Sequence, residues 1–373
     1  MMRCLRGGIT GLTIDIPIKL DGITPRWLSQ AFREGGLEGV DVADCEVRPF
    51  PDGYSATGLL ARVSVRYRPN RDGPATVIAK MPDPSRKRAD VRGSYQREIR
   101  FYKEIGADAG VRVPRLYFGY SDSDSDAAVM LLEDLAPAEP GDSTKGCSYD
   151  EAIAAIRGLA QVHARWWEHP RIVTSDWLWT FSTNRSLERA ERAISEGWMM
   201  LPEDYVSSLP DSVSAMVGTS NWFQNARDQL ESQPRTLCHP DYRLDNLFFN
   251  HDPKGIEVSV IDWGRVGRLR GGFAVAMFLA GESGLGGDEI RSCLEEYWQV
   301  LKTGDIGDFS FRECVRDFQL GTLAVLGQRV LIIGLGLNAN APQRIQDMRK
   351  KSWDRVVQVV EEFACVEVLD GIP

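Results

Sequence analysis

The chain has no C-x-x-C pair. Its seven cysteines, Cys4, Cys45, Cys147, Cys238, Cys293, Cys314 and Cys365, are scattered, and none has a histidine at zinc-ligand spacing. This argues against a zinc module or dithiol redox protein and fits reduced thiols, Cys238 included, that pack as small apolar side chains. Long apolar runs are also missing. The most apolar late stretch, Leu320 to Leu337, is interrupted by Gln328 and Arg329 and carries several glycines, so it reads as a buried helix rather than a membrane span. The opening residues MMRCLRGGITGLTIDIPIKL have a basic start but lack the continuous apolar core of a signal peptide. An excess of positive charge is absent too: the formal net charge is −9, which argues against a nucleic-acid-binding surface. A Walker A loop is missing, because Gly53-x-x-x-x-Gly58 is followed by Leu59 and Leu60 where lysine and serine or threonine are needed. The expectation is a cytoplasmic protein, monomer or homodimer, with neither membrane nor nucleic acid as partner.

What is present suits two unequal lobes. A chain of 373 residues is too long for one ordinary core. A helix is expected over Pro25 to Glu34 with Thr24 as N-cap. Strand character follows at Val42 to Phe50 and at Leu59 to Tyr67, where Ala61, Val63, Val65 and Tyr67 alternate with Arg62, Ser64 and Arg66. Between them lies PDGYSATG, a turn in which Gly53, Ser55 and Gly58 allow backbone N–H groups close to a phosphate. A third apolar run, TVIAKM, ends on Lys80. The next segment, Asp90 to Ile105, has Tyr95, Ile99, Tyr102 and Ile105 on one helical stripe with Glu98 beside it, mid-helix. Glu98, in preference to Glu104, is expected to hold Lys80 extended toward nucleotide phosphates.

Arg115 to Tyr120 and Ala127 to Leu132 read as two further strands joined by the solvated acidic turn SDSDSD. LLEDL then brings Glu133, Asp134 and Leu135 to a hinge whose backbone groups would bind adenine. A Pro-, Gly- and Ser-rich stretch from Ala136 to Ser148 marks the boundary between a domain 1–135 and a domain 136–373. Beyond it the pattern turns helical. Glu151 to Glu168 places Ile153, Ile156, Ala160, His163 and Trp167 on one face, with His163 toward the core. Trp166, Trp167, Trp177, Trp179, Trp198 and Trp222 follow, mostly as core.

The stretch TLCHPDYRLDNLFFNHDPKGIEVSVIDW, Thr236 to Trp263, carries the chemistry. H-x-D-x-x-x-x-N is the spacing of a kinase catalytic loop, and an apolar strand then delivers Asp262. In such a loop Asp241 orients and deprotonates an acceptor hydroxyl, and His239 braces the loop. Arg243 stands where it can touch the transferred phosphate. Asn246 and Asp262 offer the hard oxygen ligands that Mg²⁺ prefers. The joint order of Gly turn, strand Lys, helix Glu, acidic hinge, H-x-D-x-x-x-x-N and strand Asp is the specific signal.

The segments GYSATG, VIAK, YQREIRFY, VMLLEDL, LAQVHARWW, CHPDYRLDNLFF and VIDW together resemble the aminoglycoside phosphotransferase and choline kinase family over roughly Val42 to Gly281. That resemblance implies an α+β, protein-kinase-like two-lobe fold, with a small antiparallel-sheet N-lobe and a larger, mainly helical C-lobe around an ATP–Mg²⁺ cleft. It implies transfer of the γ-phosphate to a hydroxyl of a small-molecule acceptor of unstated identity. By position it makes Asp241 the base, Asn246 and Asp262 the metal ligands, Lys80 the phosphate-binding lysine and Glu98 its partner. The chain departs from the family pattern at two places. Pro240 replaces the usual glycine of the loop, and Phe273 stands near the position of an aspartate that normally braces it. A nucleotide-binding pseudokinase and a metal-dependent hydrolase using His239, Asp241 and Asp262 are the alternatives.

Overall fold

A computed structural model describes residues 14–51, 58–69, 72–85, 91–122, 125–182, 187–217, 221–336 and 343–369. The chain divides into two compact units. The first is Met1–Asp108 with Val113–Ala136, and the second is Ala109–Arg112 with Pro137–Pro373.

The first unit contains α1 (Pro25–Glu34), β1 (Val42–Pro49), β2 (Gly58–Tyr67), β3 (Thr76–Pro82), α2 (Val91–Glu104), β4 (Leu116–Ser121) and β5 (Ala128–Glu133). Helix α1 starts where the Thr24 hydroxyl accepts the Trp27 N–H at 3.2 Å, with proline at the first helical position. The five strands form one antiparallel sheet in the order β1-β2-β3-β5-β4. Strand alternation gives the sheet two apolar faces. Val63, Val77, Ala79, Met81, Val129 and Leu131 point to one face and share a core with Trp27, Leu28 and Phe32 of α1. Lys80, out of phase with Ala79 and Met81, points to the other face, where α2 lies with Tyr95, Ile99 and Tyr102 buried.

The second unit contains β6 (Glu139–Pro140), α3 (Tyr149–Arg165), α4 (Pro170–Val173), α5 (Leu187–Met199), α6 (Glu203–Val206), α7 (Asp211–Val217), α8 (Trp222–Glu231), β7 (Thr236–Cys238), β8 (Leu247–Asp252), β9 (Gly255–Val260), β10 (Gly267–Leu269), α9 (Gly272–Leu279), α10 (Gly287–Leu301), α11 (Phe311–Gly334) and α12 (Gln343–Glu362). Ser148 and Glu151 form a capping box at the start of α3. That helix ends at Arg165, short of the expected Glu168, whose φ of 45° is left-handed and incompatible with continuing it. Of the stretch Leu320 to Leu337, expected to be a buried helix, Leu320 to Gly334 forms the C-terminal part of α11, with Gln328, Arg329 and Leu331 to Ile333 half-buried, and Leu337 lies outside the described residues. Trp166, Trp179 and Trp222 are buried, whereas Trp167, Trp177 and Trp198 are half-buried.

Helices α9 and α11 touch backbone to backbone. A Cβ on Gly321 would stand 2.3 Å from the Gly272 carbonyl oxygen, so only glycine permits this crossing. The contact fixes α9, whose Phe278 ring meets that of Tyr242 at 5.8 Å under the loop between β7 and β8.

His163 of α3 is fully buried, and its Nδ1 lies 2.6 Å from the Tyr297 hydroxyl. Burial pushes its pKa down to about 3, so the folded protein keeps it neutral while the unfolded chain protonates it near 6.5. The unfolded state therefore binds more protons below that value, and stability falls with acidification. By pH 5 this group alone is expected to remove about 2 kcal/mol. Denaturant titrations between pH 7.5 and 5 check this: His163→Gln should flatten that part of the slope.

Candidate active site

In the first unit, Lys80 and Glu98 meet. The Lys80 ammonium lies 2.7 and 2.9 Å from the two carboxylate oxygens, with the side chains 11% and 2% exposed. The pairing follows from placing Lys80 on the sheet face that α2 covers, with Glu98 on the inward side of that helix. Glu104, the rival by sequence, is exposed and pairs with Arg100 on its own helix. Gly58 lies directly opposite Pro82, and a Cβ there would come within 2.5 Å of the Met81 carbonyl oxygen and 2.4 Å of the Tyr95 hydroxyl. Strand packing by itself thus requires this glycine. Gly53 and Ser55 lie outside the described residues. At the end of β5, Glu133 accepts the Arg115 N–H at 3.0 Å, and Asp134 pairs with Arg62 at 2.7 Å. Leu135 is buried. Both acidic side chains therefore brace the sheet end, where the Glu133 N–H also donates to the Arg115 carbonyl at 2.8 Å.

In the second unit, β7 ends at Cys238 and the loop His239–Asn246 leads into β8. Strands β8 and β9 pair from Leu247↔Val260 to Asp252↔Gly255. Asn246 precedes this hairpin and Asp262 follows it, so the register holds the two at the same end, and the Ile261 N–H donates to the Asn246 carbonyl at 3.0 Å. Asp262 has φ 61° and ψ 58°, a left-handed turn that sends its side chain out of the strand's alternation.

The loop is held from several sides. The Tyr242 hydroxyl donates to the Ala155 carbonyl at 2.7 Å, and the Tyr242 N–H closes a turn onto the His239 carbonyl at 3.1 Å. Pro240 lies inside that turn and takes no donor from the bond that closes it. His239 is buried, with Nε2 donating to the Ile261 carbonyl at 3.0 Å and Trp263 packed edge-on at 4.6 Å. Burial lowers its pKa against the opposing pull of Asp241 and Asp262, so it is neutral and serves as a brace. Phe273 is fully buried in α9 and packs on Phe181 at 5.1 Å, an apolar contact where the family pattern has an acidic brace.

Asn246 donates through Nδ2 to the Asp241 carbonyl at 2.8 Å and to Asp241 Oδ2 at 3.3 Å, neither of which uses its side-chain amide oxygen. Arg243 lies with Nε 3.3 Å from Asp241 Oδ1 and Nη1 3.1 Å from Asp245. Burial pulls its pKa down, but Asp241, Asp245, Glu282 and Asp262 outweigh that and hold it charged. The structure thus joins Asp241, Arg243 and Asn246 directly, and binds His239 to the residue before Asp262.

Asp245, Glu282, Arg329 and Arg344 were not among the site residues expected from the sequence. Arg344 spans Asp142 and Asp245 at 3.1 and 2.9 Å. Glu282 pairs with Arg329 at 3.2 Å, with side chains 2% and 11% exposed. Burial raises the Glu282 pKa and lowers that of Arg329, and each counters the shift of the other. The one available signal was Arg329 itself, a charge inside the apolar C-terminal part of its helix.

An amide oxygen and a carboxylate at one hairpin end suit Mg²⁺. That ion takes one or two protein ligands and completes its shell with water and phosphate oxygens. No three His, Cys, Asp or Glu side chains among the described residues form a self-sufficient metal cage.

Residues 46–269 match the phosphotransferase enzyme family. No curated protein matches the sequence. Among solved structures, the GDP and kanamycin complex of APH(2")-IIia superposes with a TM-score of 0.55 at 12% identity, covering 87% of this chain and 94% of that one. The microcompartment-associated aminopropanol kinase gives 0.53 at 13% identity, covering 91% and 99%. The Plasmodium vivax ethanolamine kinase gives 0.51 at 10%, covering 83% and 80%. These likenesses establish an α+β, protein-kinase-like fold. The chain belongs to the phosphotransferase enzyme family, and its class of reaction is phosphoryl transfer. No helix among the described residues is long and apolar enough to cross a membrane.

Proposed function

We propose that this protein is an ATP- and Mg²⁺-dependent O-kinase that phosphorylates a hydroxyl group of a small molecule. The observation that carries this reading is the single-hairpin placement of Asn246 and Asp262 with Asp241 bonded to Asn246. Asp241 orients the acceptor hydroxyl and takes its proton as the oxygen attacks the γ-phosphorus. The bond from that phosphorus to the β-bridging oxygen breaks, and ADP leaves. Lys80, held straight by Glu98, neutralises nucleotide phosphates. Asn246 and Asp262 would hold Mg²⁺, which when bound offsets the negative charge of those phosphates. The guanidinium of Arg243 stays charged beside Asp241, where it can meet the transferred phosphoryl group.

The test is ADP formation with a panel of hydroxylated acceptors. Turnover should require Mg²⁺, fall to background with EDTA, and drop at least about 10²-fold in Asp262→Ala, the order of loss when charge stabilisation at the phosphoryl group is removed. Metal-dependent hydrolysis without nucleotide would instead support a hydrolase.

A further inference from the structure

Helix α12 presents Arg344, Met348, Lys351 and Arg355 at spacing i, i+4, i+7 and i+11, a single stripe along one side. That stripe faces the catalytic loop and the segment Asp142–Thr144. Arg344 bonds Asp142 and Asp245, and Met348 Sδ lies 3.4 Å from Arg243 Nη1. Lys351 donates to the Thr144 carbonyl at 2.8 Å, and Arg355 donates to the carbonyls of Ser143 and Glu282 at 3.0 and 2.7 Å. The carboxylates beside it are already matched to cations: Asp241 to Arg243, Asp245 to Arg243 and Arg344, Asp142 to Arg344, and Glu282 to Arg329.

This balance bears on the acceptor. A polyamine-like acceptor needs carboxylates to receive its ammonium groups, and to reach these it would have to displace arginines, leaving cations uncompensated in partly buried positions. An acceptor with its own negative group meets the opposite situation. Arg344 makes both of its ion pairs through Nη2, with its side chain 46% exposed, and neither pair uses its Nη1 or Nε donors. Lys351, two turns further along the same stripe, is exposed and carries a second cation.

We infer that the acceptor is a hydroxylated acid, its anionic group received by the Arg344–Lys351 stripe of α12 while its hydroxyl is presented to Asp241. The assignment rests on the phosphotransferase reading above. Arg344 and Lys351 are then specificity residues: they select the acceptor and leave the phosphoryl chemistry to the loop.

Three acceptors with one carbon skeleton test it: D-gluconate, D-glucitol and 1-amino-1-deoxy-D-glucitol, which differ in carrying a negative, no or a positive charge. The full-length protein is assayed for ADP formation with Mg²⁺ and ATP, and for thermal shift in the presence of Mg²⁺ and ADP. Gluconate is expected to show a KM about tenfold or more below that of the amine, as for a single charge-assisted hydrogen bond gained, and to give the largest thermal shift. Arg344→Glu should reverse the order, and Arg344→Lys should restore it in part. Preference for the amine, equal use of all three, absence of both turnover and shift with gluconate, or an unchanged order in Arg344→Glu overturns the inference. ADP formation unchanged in Asp241→Ala would instead bring down the phosphotransferase reading itself, so the two failures are distinguishable.

Discussion

Replacing Asp241 with asparagine is expected to lower phosphate transfer by about 10²- to 10⁴-fold, the range that a positioned general base contributes. The fold should survive. The substitution keeps the side chain's shape, the Asn246 bond to the residue-241 carbonyl is backbone-directed, and Arg243 retains Asp245 as a partner. The loop's anchors, Tyr242 on Ala155 and His239 on Ile261, are untouched. A stability change of no more than about 1 kcal/mol is therefore expected, since the pair removed is partly exposed. Kinetics alongside denaturant unfolding check both halves. A variant that loses activity only because it unfolds, or one that keeps full activity, contradicts the role assigned to the carboxylate.

The Lys80–Glu98 pair gives the second large effect, and here stability and function must be separated. Both side chains are nearly removed from solvent, so Lys80→Met breaks a buried ion pair, and a loss of about 3–5 kcal/mol is expected. Its kcat/KM for ATP should also fall by about 10²-fold, because a preorganised charge at the phosphates is lost. The double variant Lys80→Met/Glu98→Leu removes the buried carboxylate as well. It is expected to recover most of the stability and none of the activity. Recovery of activity together with stability would mean that the pair is structural only.

The small unit was legible because its chemistry is tied to short periods. Alternation put Ala79 and Met81 on one face and Lys80 on the other, and helical spacing put Glu98 beside the buried stripe of α2, so the pair followed from two local patterns. The loop from His239 to Asn246 was legible as the lead into a hairpin because one turn and the β8–β9 pairing set its spacing.

Other features are not local. The stripe on α12 reads in sequence as an ordinary solvated face, and Lys350 and Lys351 look alike there. Only the tertiary partners separate Lys350, paired with Asp354 on its own helix, from Lys351, bonded to Thr144. Ala109–Arg112 belongs with the larger unit through backbone pairing of Arg112 with Ser259 and Val260, a return of the chain that no composition shift marks. Phe273 drew notice for the acid it replaces. The bracing that the acid would supply is instead distributed over Tyr242, His239 and Trp263, of which only the histidine stood out by its spacing.

The central claim is that Asp241 activates a hydroxyl toward the γ-phosphate of ATP. The most direct measurement follows label from γ-phosphate-labelled ATP in the presence of Mg²⁺ and an acceptor, with Asp241→Asn as the comparison. A stable phosphate monoester on the acceptor is expected in the wild-type protein and almost none in the variant. Label found only as inorganic phosphate whatever the acceptor, or monoester formed equally by both proteins, would contradict it.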